Sequence, residues 1–147
     1  MSINDIQDEI IDEFSGLTDW MDRYAYIIEL GNALPAMPDE LKVPANLIEG
    51  CQSRVWVSAG RDADGKVKFQ ADSDAMIVKG IISLLVRVLS DHTPGDILSS
   101  DLYFVDKIGL KEHLSPTRSN GLVAMIRQMR LYAQAFDALD KANENNN

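Results

Sequence analysis

A chain of 147 residues, 46% hydrophobic and 25% charged, suffices for one domain that buries about two-thirds of its unfolded surface in a single core. Its formal net charge of −9 argues against nucleic acid, which needs clustered cations to neutralise phosphate. The one cysteine, Cys51, excludes an internal disulfide and fits a reducing, cytoplasmic compartment.

The first segment, "MSINDIQDEIIDEF", is acidic and amphipathic and lacks the basic region that opens a signal peptide. Asn4 and Gln7 have capping-box spacing, and Ile6, Ile10, Ile11, Phe14 and Leu17 recur at helical spacing, so a first helix is expected to end at Gly16. A second helix is expected from near Thr18, with Trp20, Tyr24, Ile27 and Ile28 on one face and Gly31 as a left-handed stop. Residues 32–49 hold Pro35, Pro38 and Pro44 and form a long linker leading to Cys51. "SRVWVSAG" and "KVKFQAD" alternate in polarity on either side of "DADG", a turn in which Gly65 supplies positive φ. These two runs make an antiparallel hairpin.

"AMIVKGIISLLVRVL" is interrupted by Lys79 and Arg87 and is too short to span a bilayer, so it is expected as a buried central helix over 74–89, capped by Asp72 or Ser73. Asp74 opens it. Thr93-Pro94 opens a short helix, with a capping hydroxyl followed by proline. "DLYFVDKIGLKEHL" fits either short helix or extended chain, "SPTRSNG" has loop composition, and a long final helix follows with Leu122, Ile126, Met129, Ala133, Phe136 and Leu139 as its stripe. The fold class is therefore α+β: a small antiparallel β-sheet packed against several α-helices, in one domain over 1–141. A third strand is not evident, and residues 142–147 are expected to form a disordered tail.

Four roles are open to Cys51 from the residues alone. It is a buried apolar filler, a metal ligand, the nucleophile of a triad with His113 and an acid such as Glu112, or a thiol that carries a transferred group. A metal site is disfavoured, because His92 and His113 are the sole histidines and lie far apart in sequence. The filler role is weakened by Gly50 on one side and polar Gln52-Ser53 on the other, which suit a loop tip at the mouth of a strand.

"GCQSRVW", "ADSDAMIVKGII" and "HLSPTRSNGL" resemble, in order and spacing, three signature stretches of the SufE family, including its CsdE branch. The similarity extends from "DEFSGLTDWMDRYAYIIELG" through the final helix. It implies a SufE/IscU-like fold and a sulfur acceptor that takes persulfide sulfur from a pyridoxal-phosphate-dependent cysteine desulfurase of SufS or CsdA type. The acceptor stimulates that desulfurase and passes the sulfur to an iron–sulfur scaffold complex of SufBCD type. Cys51 matches the acceptor cysteine. The chain itself is then a carrier rather than an enzyme, a monomer or weak homodimer without a cofactor, a metal or a membrane segment of its own. IscU-type scaffolds hold a cluster on three cysteines, and the corresponding "ADSDA" stretch here has no thiol, which favours carrier over scaffold. Arg118, His113, Asp74, Arg54 and Gly50 are the candidates for partner binding or thiolate support, Arg118 because a nearby cation lowers a thiol pKa. Rival readings are a free-standing cysteine-dependent sulfurtransferase or hydrolase, and an interaction module with an idle cysteine. A carrier benefits from shelter for its sulfur, so Cys51 is expected to point inward among Leu47, Ile48 and Val55, on a loop over 46–53 that turns outward for its partner.

Overall fold

The structure, a computed structural model, describes residues 1–145. Helix α1 (Ile3–Ser15) begins two residues before the sequence suggests, because its capping box uses Ser2 and Asp5. Ser2 Oγ accepts from the Asp5 amide at 3.0 Å and the Asp5 carboxylate accepts from the Ser2 amide at 3.1 Å. Gln7 is thereby free to turn inward. Fully buried, it donates to the Asp101 carbonyl at 2.9 Å and accepts from the Phe104 amide at 3.1 Å, tying α1 to the segment that follows the central helix.

Helix α2 (Trp20–Asn32) is capped by Asp19, and Gly31 lies inside it rather than ending it. The glycine serves packing. A Cβ on Gly31 would stand 2.6 Å from the backbone nitrogen of Gly80 in the central helix α3 (Met76–Leu89). A Cβ on Gly80 would stand 2.1 Å from the Ile27 carbonyl oxygen. The two helices therefore meet backbone to backbone, and only hydrogen at these two positions permits it. Arg87 of α3 ties in α1: it donates to Glu9 at 2.7 Å and to both oxygens of Glu13, at 3.0 and 2.5 Å.

Strands β1 (Val55–Arg61) and β2 (Val67–Ser73) pair antiparallel from Val55 opposite Ser73 to Arg61 opposite Val67, with Gly65 at φ +81° in the turn. Val55, Val57, Val67, Phe69 and Ala71 are buried, as strict alternation requires of a face laid on helices. Among the described residues the sheet has these two strands, and single bridges from Leu47 to Trp56 and from Val67 to His92 extend its edges in place of a third. Two turns of 3-10 helix, Asp39–Leu41 and Pro44–Asn46, order the proline-rich linker.

Helix α3 has Ala75 at its N-cap and no side-chain cap, so Asp72, Ser73 and Asp74 do not perform the capping expected of them. Thr93 does cap α4 (Pro94–Ser99), accepting from the Asp96 amide at 3.2 Å. The ambiguous segment resolves into two short helices, α5 (Phe104–Lys107) and α6 (Leu110–His113). Helix α7 runs from Pro116 to Asn145. "SPTRSNG" is thus its first turns and not a loop: Ser115 Oγ accepts from the Arg118 amide at 3.3 Å, and proline takes the first helical position, where its missing N–H is no loss. The helix also passes residue 141, so 142–145 are helical rather than a disordered tail, and Asn146 and Asn147 lie outside the described residues. No described helix is long and apolar enough to cross a membrane.

Candidate functional site

The cysteine loop, residues 49–53, is short and fastened at both ends. On the near side the Ile48 amide donates to the Val55 carbonyl at 2.8 Å. On the far side Arg54 is stitched to the end of β2. Its amide donates to Asp74 Oδ1 at 3.0 Å, and its carbonyl accepts from Ser73 Oγ at 2.8 Å and from the Asp74 amide at 3.2 Å. Asp74 thus holds the Arg54 backbone at the base of the loop through its carboxylate and its own amide, while the Arg54 side chain is exposed. Gly50 sits at φ +91°, a conformation that a side chain would oppose, and this turns the chain so that Cys51 faces inward.

The Cys51 thiol is half-buried, and its Sγ donates to the Gly121 carbonyl of α7 at 3.6 Å. It stands at a cavity of about 80 Å³ walled by Val78 and Ile81 of α3 and by Thr117, Arg118, Gly121 and Met125 of α7. The inward orientation agrees with the sequence expectation, but the walls do not. Ile48 and Val55 are buried without lining this cavity, and Leu47 is 39% exposed. The apolar surface facing the sulfur comes instead from Val78, Ile81 and Met125, all buried. Their signal in the sequence is spacing, 78 and 81 three apart on one helix and 117, 121 and 125 four apart on another.

Burial pushes the Cys51 thiol up from its ordinary pKa, and no cation offsets that shift. Arg118 borders the cavity, yet its Nη1 donates to the Tyr24 hydroxyl at 3.5 Å. Burial in this geometry thus favours the protonated thiol, a weaker nucleophile than the thiolate. The rate of Cys51 alkylation by iodoacetamide should accordingly inflect at higher pH in the native protein than in the urea-unfolded chain. An inflection shifted to lower pH would mean that a cation reaches the sulfur.

His113 stands elsewhere. Its ring stacks on Trp20 with centroids 4.3 Å apart and planes 13° from parallel, and its Nδ1 lies 2.9 Å from the Gly109 carbonyl oxygen. Neither His113 nor Glu112 lines the cysteine cavity, so the structure does not bring the triad together. His92 is buried between the Ser90 and Met1 carbonyls, at 2.8 and 3.0 Å. Among the described residues no group of three or more His, Cys, Asp or Glu side chains is arranged to share a metal ion. Sequence reasoning also missed the ion cluster beside the loop base. There Asp72 takes Lys42 at 2.9 Å and Lys79 at 3.5 Å, joining linker, hairpin and central helix.

Two comparisons bear on this arrangement. The fold is similar to the solution structure of a hypothetical protein from Thermus thermophilus, with a TM-score of 0.74 and 23% identity over 90% of this chain and 96% of that one. That likeness concerns the fold. A family model described as "SufE: Fe-S metabolism associated domain" matches residues 8–133, which takes in both pinned ends of the cysteine loop, both cavity walls and most of α7. This chain belongs to the SufE family, and its work lies in iron–sulfur metabolism.

Proposed function

We propose that this protein accepts a sulfane sulfur from the persulfide of a pyridoxal-phosphate-dependent cysteine desulfurase, holds it on Cys51 and passes it to an iron–sulfur scaffold complex. The observation that carries this reading is the setting of the thiol: the chain's one sulfhydryl, at the tip of a loop pinned at both ends, faces a small cavity with apolar walls. A cavity that holds one water needs only about 10–15 Å³ on this measure, so 80 Å³ leaves room for a further sulfur atom.

The transfer is thiol–persulfide exchange. The Cys51 thiolate attacks the outer sulfur of the donor persulfide, a new S–S bond forms on Cys51, and the donor cysteine leaves as a thiolate. No net oxidation is required. The outward-going step uses the same chemistry in the acceptor's favour. In the resting protein burial favours the protonated thiol and the side chain faces inward, so the donor must find or draw out an outward-turned loop, a shift of population between two loop states. The 49–53 segment is suited to this, since its movement leaves the Ile48–Val55 and Arg54–Asp74 fastenings intact.

A desulfurase turnover assay separates this reading from its rivals. Wild-type protein should raise the rate of alanine and sulfide formation under reducing conditions, and Cys51→Ser should not. Equal stimulation by the serine variant would leave an interaction module with an idle cysteine. Sulfur release from a small substrate by this protein alone would leave a free-standing sulfurtransferase.

A further inference from the structure

Gly121 of α7 faces the Cys51 sulfur, and no left-handed conformation requires a glycine there, because it lies within a regular helix. A Cβ built on it would meet Cys51 Sγ at 3.4 Å and Met125 Cε at 4.0 Å. The first distance is at the short edge of ordinary van der Waals contact. An alanine would therefore fit beside the reduced thiol, so packing against the thiol does not demand glycine. Glycine is also a poor helix former, and its presence here in place of alanine sacrifices helix stability. What the missing methyl leaves open is space at the sulfur, on the wall opposite Val78 and Ile81.

We propose that Gly121 is a positioning residue that keeps the room a second sulfur atom needs, so that Cys51 persulfide, but not Cys51 thiol, depends on the absence of a side chain at 121. This rests on the sulfur-carrier reading. The terminal sulfur extends about 2.0 Å beyond Sγ. With Sγ already in contact range of the 121 position, that added atom has to be accommodated between Gly121, Met125 and the α3 wall. A methyl at 121 narrows that space and turns the persulfide toward solvent. The Gly121 carbonyl adds a second consequence. It accepts from the thiol at 3.6 Å, whereas an ionised persulfide has no proton to donate to it. Retention of the loaded form thus relies on shape, and shape is what Gly121 controls.

The test uses the full chain, wild type and Gly121→Ala, loaded chemically with sodium polysulfide. The Cys51 thiolate takes one sulfur, and the polysulfide leaves one sulfur shorter. Cyanide then removes the outer sulfur as thiocyanate and regenerates the thiolate, and its rate reports access to that atom. Cyanolysis of Gly121→Ala persulfide should be faster by about tenfold. Iodoacetamide alkylation of the unloaded thiol should stay within about twofold of wild type. The melting temperature should hold or rise, as replacement of a helical glycine by alanine favours the helix. Adding Ile81→Val, which removes a methylene across the cavity, should slow cyanolysis again. Unchanged cyanolysis overturns the proposal, and so does an equal rise in both rates, which would mean that the methyl merely displaces the loop. Should Gly121→Ala fail to fold, Val78→Ile fills the same cavity from α3 and is held to the same two rates. Because loading is chemical, this result stands apart from the carrier reading, which fails instead if the wild type takes no sulfur from a desulfurase.

Discussion

Gly80→Ala is expected to destabilise the protein by about 3 kcal/mol or more, at or beyond the upper end of overpacking effects, because the clash is with backbone. The added methyl would lie 2.1 Å from the Ile27 carbonyl oxygen and 2.5 Å from Ile27 Cγ2. A side chain could rotate away, but a carbonyl inside α2 cannot move without separating α2 from α3. That separation would unseat Ile27, Ile77 and Ile81, which are buried in the one core. Native domains hold only about 5–15 kcal/mol in total, so the variant keeps a much reduced margin. For a chain of this size the melting temperature should fall by roughly 10 °C. Gly95→Ala is the control: it lies in α4 with nothing within 4 Å of the added methyl, and it should hold or raise the melting temperature. Equal melting temperatures for Gly80→Ala and wild type, measured calorimetrically, would refute the backbone-contact account of this helix pair.

That same pair shows what can be read from the chain and what cannot. Alternation in "SRVWVSAG" and "KVKFQAD" identifies the hairpin because a strand's two faces differ at every step, and the register follows from the turn. Gly31 is legible as special, but its local context suits a helix stop, and only the approach of α3 reveals a packing role. The helical course of "SPTRSNG" is hidden for a similar reason. Its composition is that of a turn, yet Ser115 and Pro116 form a helix start, and the buried face of Gly121, Leu122 and Met125 outweighs local propensity. Asp72, Ser73 and Asp74 have capping composition, and they instead secure Lys42, Lys79 and the Arg54 backbone across long sequence separations. The place of Cys51 on a loop leading into a strand is legible from Gly50 and polar Gln52-Ser53 around it. Its cavity is not, since periodicity says that α3 and α7 each have an apolar face but not that Val78 and Met125 share one space. Residue type alone draws His113 toward the site, and stacking on Trp20 holds it elsewhere.

Cys51→Ser should abolish sulfur acceptance completely while leaving the fold intact, the largest functional effect expected of any single substitution here. Serine nearly matches cysteine in shape, and its hydroxyl can donate to the Gly121 carbonyl that the thiol now uses. The side chain is only half-buried, so the change in stability should stay within about 1 kcal/mol, typical of a substitution that opens no large cavity. What serine lacks is a thiolate that attacks a sulfane sulfur at neutral pH. The measurement is intact-protein mass after incubation with a cysteine desulfurase and cysteine, followed by removal of small thiols. Wild-type protein should gain the mass of one sulfur atom, lost again on reduction, and the serine variant should gain none. An unmodified wild type with an active, binding desulfurase, or a sulfur adduct on Cys51→Ser, would contradict the assignment of Cys51 as the carrier.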